Sequence, residues 1–186
     1  MIEPGTILGI DPGTNILGFG IVRVDASGKP RYVDMGVLDL RKVDSQYEKL
    51  EIIYNKVLTL CDLHHPDYMA VESPFYGKNA QVLFKLGRAQ GAAMVAAQSR
   101  GVEITEYAPR KAKMTICGNG SASKQQVALM VKRTLGIDVP AAYLDATDAL
   151  ALAMCHYYQL SSPLAQTSSG VSSWEKFIAQ NPDRVK

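Results

Sequence analysis

The chain has 186 residues, 47% of them hydrophobic, and a formal net charge of +2. That suffices for one domain with a full core but not comfortably for two, and no apolar run approaches a membrane span. Cys61, Cys117 and Cys155 are scattered and form no C-x-x-C pair, which argues against a disulfide framework or a zinc ribbon.

Residues 5–11 read as a buried strand and 16–25 as a second, with Gly18 and Gly20 making room on one side. Between them, Pro12-Gly13 forces a turn directly after Asp11, a carboxylate at the tip of an apolar strand. A hairpin with a polar corner explains that Asp; so does a strand tip that awaits a metal or a phosphate. Residues 31–40 alternate as a third strand, so the first three form an antiparallel meander. The period then changes. Leu50, Ile53, Tyr54, Val57, Leu58 and Cys61 fall at helical spacing, with Ser45 as N-cap and His64-His65-Pro66 as the stop. "YMAVES" (68–73) is a compact strand carrying Glu72 near its end. A long helix follows over about 79–99, then a strand over 102–108. The basic, Gly/Ser-rich stretch 109–122 has a helical turn in its first part. Helices over 123–135, closed by Gly136, and over 143–160 complete the set. The order βββαβαβαα predicts an α/β fold, a mixed five-stranded sheet flanked by helices. The expected domain is 1–160, followed by a Ser/Gly-rich tail over 161–186 in which Ser172-Ser173-Trp174-Glu175 could open one short helix.

Charge is unevenly placed. From Ser73 to Ile137 there are ten basic residues, among them Lys78, Lys113 and Lys124, against two acidic ones. The flanks carry the other ten bases against sixteen acids. This asymmetry points to a polyanionic partner, although a solvated face also produces it. The acids have their own pattern. Asp11 and Glu72 end two strands, and Asp145 and Asp148 stand three apart at the start of a helix, on one face of it. Acids at a helix N-terminus are ordinary dipole partners. Four clustered carboxylates repel unless protons or cations join them, and an oxygen-only set suits Mg²⁺ or Mn²⁺. The histidines fit no site: His64-His65 end a helix, and His156 lies two turns beyond Asp148. "GNGSASK" lacks the spacing of a nucleotide-binding P-loop.

Together "GIDPGTNILGFGI", "VESPFYGKNAQVLFKLGRAQG", "GNGSASKQQV" and "DATDALALA" resemble the RuvC family of Holliday junction resolvases, in family order, from about Ile7 to His156. The resemblance implies a ribonuclease-H-like fold and a homodimer that nicks two opposed strands of four-way junction DNA. It implies two Mg²⁺ ions per site, with Mn²⁺ as a substitute, and work alongside the RuvA–RuvB branch-migration complex in recombination and repair. Carried over by motif, Asp11, Glu72, Asp145 and Asp148 are the catalytic, metal-binding carboxylates. Phe75 falls where the family sets an aromatic against junction bases, and Lys113 and Lys124 fall at its basic DNA-contacting positions. Lys78, in the same basic segment, joins the expected DNA contacts. Without the family, Phe75 serves equally well as a cap on the core. A cytoplasmic location, with no membrane association, is the expectation.

Other classes account for less of the chain. "GIDPGT" is also similar to the first phosphate loop of actin-like and sugar-kinase ATPases, which need a duplicated body that this length does not hold. A RuvC-like nuclease acting on another nucleic acid, or an inactive junction-binding module, would share the fold. Four intact carboxylates argue against the inactive module, because their repulsion would serve nothing there.

Overall fold

A computed structural model describes residues 3–74, 79–138 and 144–162. Five strands form one sheet in the order β3-β2-β1-β4-β5. β1 (Gly5–Asp11), β2 (Ile16–Val24) and β3 (Pro30–Asp39) are the antiparallel meander, with an irregularity in the register at Ile21/Val22. β4 (Tyr68–Glu72) adds parallel to β1, and β5 (Glu103–Tyr107) parallel to β4. Two parallel neighbours cannot be joined by a tight turn, so helices supply the crossovers: α1 (Gln46–His64) leads into β4, and α2 (Ala80–Gln98) leads into β5. Then come α3 (Pro109–Cys117), α4 (Lys124–Leu135) and α5 (Leu144–Ser161).

Strand alternation divides the core into two layers. Leu8, Ile10, Phe19, Ile21 and Val71 pack with Ile53, Val57 and Leu60 of α1 and Ala89, Ala93 and Ala96 of α2. Ile7, Val22 and Ala70 face the other way, onto α5 and its neighbours Ala112 of α3 and Val127 and Val131 of α4. Helix ends are set by local chemistry. Ser45 and Asn79 accept hydrogen bonds from the first free amides of α1 and α2, and Ser123 forms a capping box with Gln126. Gly136 takes the left-handed conformation, φ 66°, that closes α4.

α5 is buried almost all round, from Ala146 to His156, with Asp148 the one position in that run that keeps partial exposure. It lies flush against β1 and β2 because three positions beneath it, Gly9, Gly18 and Gly20, carry no side chain. A Cβ at Gly9 would collide with the Ala149 carbonyl, one at Gly18 with the Asp145 carbonyl, and one at Gly20 with Leu150. The expected room beside Gly18 and Gly20 is therefore filled by a helix backbone, and this close seat sets where the first turn of α5 meets the sheet.

Candidate active site

Asp11 ends β1 and Glu72 ends β4, and the register aligns Ile10 with Val71. The two carboxylates therefore leave the sheet side by side at the carboxyl ends of neighbouring parallel strands, where open α/β sheets place ligands. The glycine seat of α5 brings its first turn to the same point. Asp11, Asp145 and Asp148 each offer an oxygen, and these oxygens lie within 4.8 Å of one another. Glu72 lines the adjoining cavity of about 170 Å³ together with Asp11, Asp148, Lys113 and Lys124. Ala112, Val127 and Leu152 supply its apolar wall.

Packing acids into this partly buried corner changes their proton affinity. Burial, then the charges of Glu72 and Asp148, push Asp11 up to about 7 against the pull of Lys124. Burial also raises Glu72, with Asp148 adding to it and Lys124 and Lys113 opposing. Asp148 is raised by burial, which outweighs its hydrogen bond from Lys124. Burial works against the charge on Lys124, yet its bonds to Asp145 and Asp148 hold the ammonium protonated above the ordinary lysine range. The Lys124 Nζ lies 2.7 Å from Asp145 Oδ1 and 2.9 Å from Asp148 Oδ2.

Residues 7–156 match the family model described as "Crossover junction endodeoxyribonuclease RuvC". The chain belongs to the RuvC family. The RuvC of Bacteroides fragilis is 51% identical over the full length of both chains. That of Porphyromonas gingivalis is 48% identical, covering 97% of this chain and 96% of its own. A solved structure of Thermus thermophilus RuvC in complex with a Holliday junction substrate matches with TM-score 0.74 and 31% identity, covering 84% of this chain and 95% of that one. The yeast mitochondrial Holliday junction resolvase Ydc2, at 13% identity and TM-score 0.62, shares the fold. The mixed sheet and its strand order are those of the ribonuclease-H-like fold expected from the RuvC resemblance.

The residues singled out in the sequence fall into three groups. Asp11, Glu72, Asp145, Asp148, Lys113 and Lys124 converge on one corner, although the tight carboxylate cluster comprises three of the four acids and Glu72 stands beside it. Phe75 and Lys78 lie outside the described residues, as does the tail beyond 162. The histidines stand away from the corner. His65 closes α1 in a left-handed conformation, and His64 approaches Asp34 at 3.6 Å. His156 is buried with its Nδ1 2.8 Å from the Tyr107 hydroxyl, and burial lowers its pKa to about 4.

Sequence reading missed Gln90. This amide is buried on α2 and donates to the Glu72 carbonyl (3.3 Å) and to Glu106 Oε2 (2.6 Å), tying α2 to the end of β4. Its one signal in the sequence is a polar residue at the helical spacing of Ala89, Ala93, Ala96 and Ala97. Small residues at this spacing permit a close neighbour, either the sheet or a second copy, and the structure decides between them. These alanines are 0–1% exposed and pack inside the protein, so they are not a surface for a second copy.

Proposed function

We propose that this chain is an endodeoxyribonuclease that resolves four-way (Holliday) DNA junctions by paired symmetric nicks, in homologous recombination and DNA repair. The observation that supports it most is the meeting of Asp11, Asp145 and Asp148 within 4.8 Å at the strand ends of a RuvC-family chain. The donor set fits a hard divalent cation: every ligand is a carboxylate oxygen, and burial together with the neighbouring Glu72 and Asp148 charges holds the Asp11 proton up to about 7. Asp11, Asp145 and Asp148, with Glu72 alongside, would hold Mg²⁺, two ions per site, with Mn²⁺ as a substitute. Such ions supply activated water and charge stabilisation at the departing 3′-oxygen.

The chain's own residues hold and orient the DNA. Lys113 on the cavity wall, with Lys124 and Lys78, meets backbone phosphate, which positions the duplex without reading sequence. Phe75 stacks on a base that has lost its neighbour at the crossover. Two opposed nicks call for two sites related by a twofold axis, hence a homodimer. Phe84, Gly87, Gly91 and Val95 share the outer stripe of α2. Phe84 is 68% and Val95 61% exposed, and a Cβ at either glycine would meet nothing, so this stripe is the candidate interface. Residues 1–160 would be the nuclease domain and 161–186 an appended tail. The RuvA–RuvB branch-migration complex and the cytoplasm complete the reading. No helix among the described residues is long and apolar enough to cross a membrane.

The test is a labelled synthetic four-way junction incubated with the protein, with and without Mg²⁺. Paired nicks on opposed strands, dependent on the ion and absent with linear duplex, are the expected result. Equal cutting of linear duplex would move the substrate elsewhere.

A further inference from the structure

Lys124 occupies an unfavourable place for a base. It is the first residue of α4, at the positive end of the helix dipole, and the first turn of α4 contains no acid to compensate it. Its ammonium is satisfied elsewhere, by Asp145 and Asp148, 21 and 24 positions along the chain. The same two carboxylates, with Asp11, form the oxygen cluster suited to a divalent ion. An oxygen ligand of Mg²⁺ must approach to about 2.0–2.1 Å, so a cation there and the ammonium would draw on the same two carboxylates.

We infer that Lys124 is the cluster's built-in counter-ion: it holds Asp145 and Asp148 together in the metal-free protein and competes with divalent cations for them. Its half-exposed side chain gives it room to leave, 49% of its surface being open. Released, the ammonium remains at the cavity mouth, within the basic surface proposed for DNA. Lys124 is thus a positioning residue with two successive partners, carboxylate and then phosphate. A DNA-contacting lysine alone would not face the acids, and a purely structural salt bridge would not use two of the cluster's own three carboxylates. The inference rests on the metal reading of the carboxylate cluster.

The experiment titrates Mn²⁺ alone, without DNA, into the full chain and its variants by calorimetry. Lys124→Met keeps the length of the side chain and removes its charge. It should bind Mn²⁺ about tenfold tighter than the parent, the order expected when one competing unit charge leaves a partly screened site. Its metal-free form should melt lower and recover with Mn²⁺, whereas Lys124→Arg should stay within a few-fold of the parent. Lys124→Gln repeats the measurement if the methionine variant folds poorly. Equal or weaker Mn²⁺ binding by the neutral variants, with Asp148→Asn still abolishing uptake, would overturn the competition and leave the metal site standing. Uptake that is absent from the parent and from every variant would overturn both.

Discussion

Neutralising Asp11 should make the metal-free protein more stable while removing its activity. The carboxyl is pushed up to about 7 from an ordinary 3.8 by burial and by Glu72 and Asp148. Three units at about 1.4 kcal/mol each give a penalty of up to about 4 kcal/mol for holding it ionised in the fold. The sign follows from linkage. Below pH 3.8 the group is protonated in folded and unfolded chains alike, and it contributes nothing. Between 3.8 and 7 the unfolded chain gives up the proton first, so stability falls as pH rises; above 7 the full penalty is present. Asp11→Asn keeps the shape and loses the charge, but its partly buried amide carries a desolvation cost of about 1–2 kcal/mol. The net gain is then about 2 kcal/mol, or about 4–8 °C in melting temperature for a domain of this size, at pH 8 in EDTA. At pH 4 that charge-derived gain should nearly vanish. Thermal melts of parent and variant across that range are the assay, with junction cleavage in Mg²⁺ measured on the same samples. A gain of the same size at pH 4 and pH 8 would mean repacking rather than charge relief, and no gain at either pH would refute the crowding of the cluster.

Three further outcomes follow from the geometry. Gly18→Ala forces a methyl into the Asp145 carbonyl, so it should cost about 1–3 kcal/mol or more and reduce metal-dependent cleavage beyond the loss of folded protein, measured per folded molecule. Lys113→Ala should flatten the dependence of log K for junction binding on log salt by about one unit; an unchanged slope would take Lys113 off the phosphate path. Gly91→Arg, on the outer stripe of α2, should give monomers in sedimentation while the fold survives, whereas Ala93→Arg should simply unfold the protein because that position is fully buried.

Much of the fold was legible because its signals are local. Strand alternation over 5–11 and 16–25, the Ser45 cap and the Gly136 stop each act within a few residues, and the elements fall within a residue or two of where those signals put them. α3 was underestimated as a single turn. Arg110, Lys111 and Lys113 obscure its apolar pattern, and Ala112 is its one buried residue; Pro109 at its first turn and Gly118 at its end define it instead. The alanines of α2 show the opposite limit. Small residues at helical spacing permit a close neighbour but do not name it, and here the neighbours are α1 and the sheet.

Site chemistry divides along the same line between local and distant. An acid that interrupts an apolar strand, or two acids one turn apart, departs from a local rule, so all four carboxylates stood out without a structure. Lys124 did not. A lysine in a Gly/Ser-rich basic stretch reads as a phosphate contact, and nothing within ten residues of it is acidic. Its ion pairs exist because α4 begins beside α5, and α5 sits there because Gly9, Gly18 and Gly20 let its backbone down onto the sheet. The glycines that appear as gaps in a strand pattern are thus what places both the acids and their counter-ion. A side chain at any of the three would lift α5 off the strands, separate Asp145 and Asp148 from Asp11, and take from Lys124 the partners that justify a positive charge at the start of a helix.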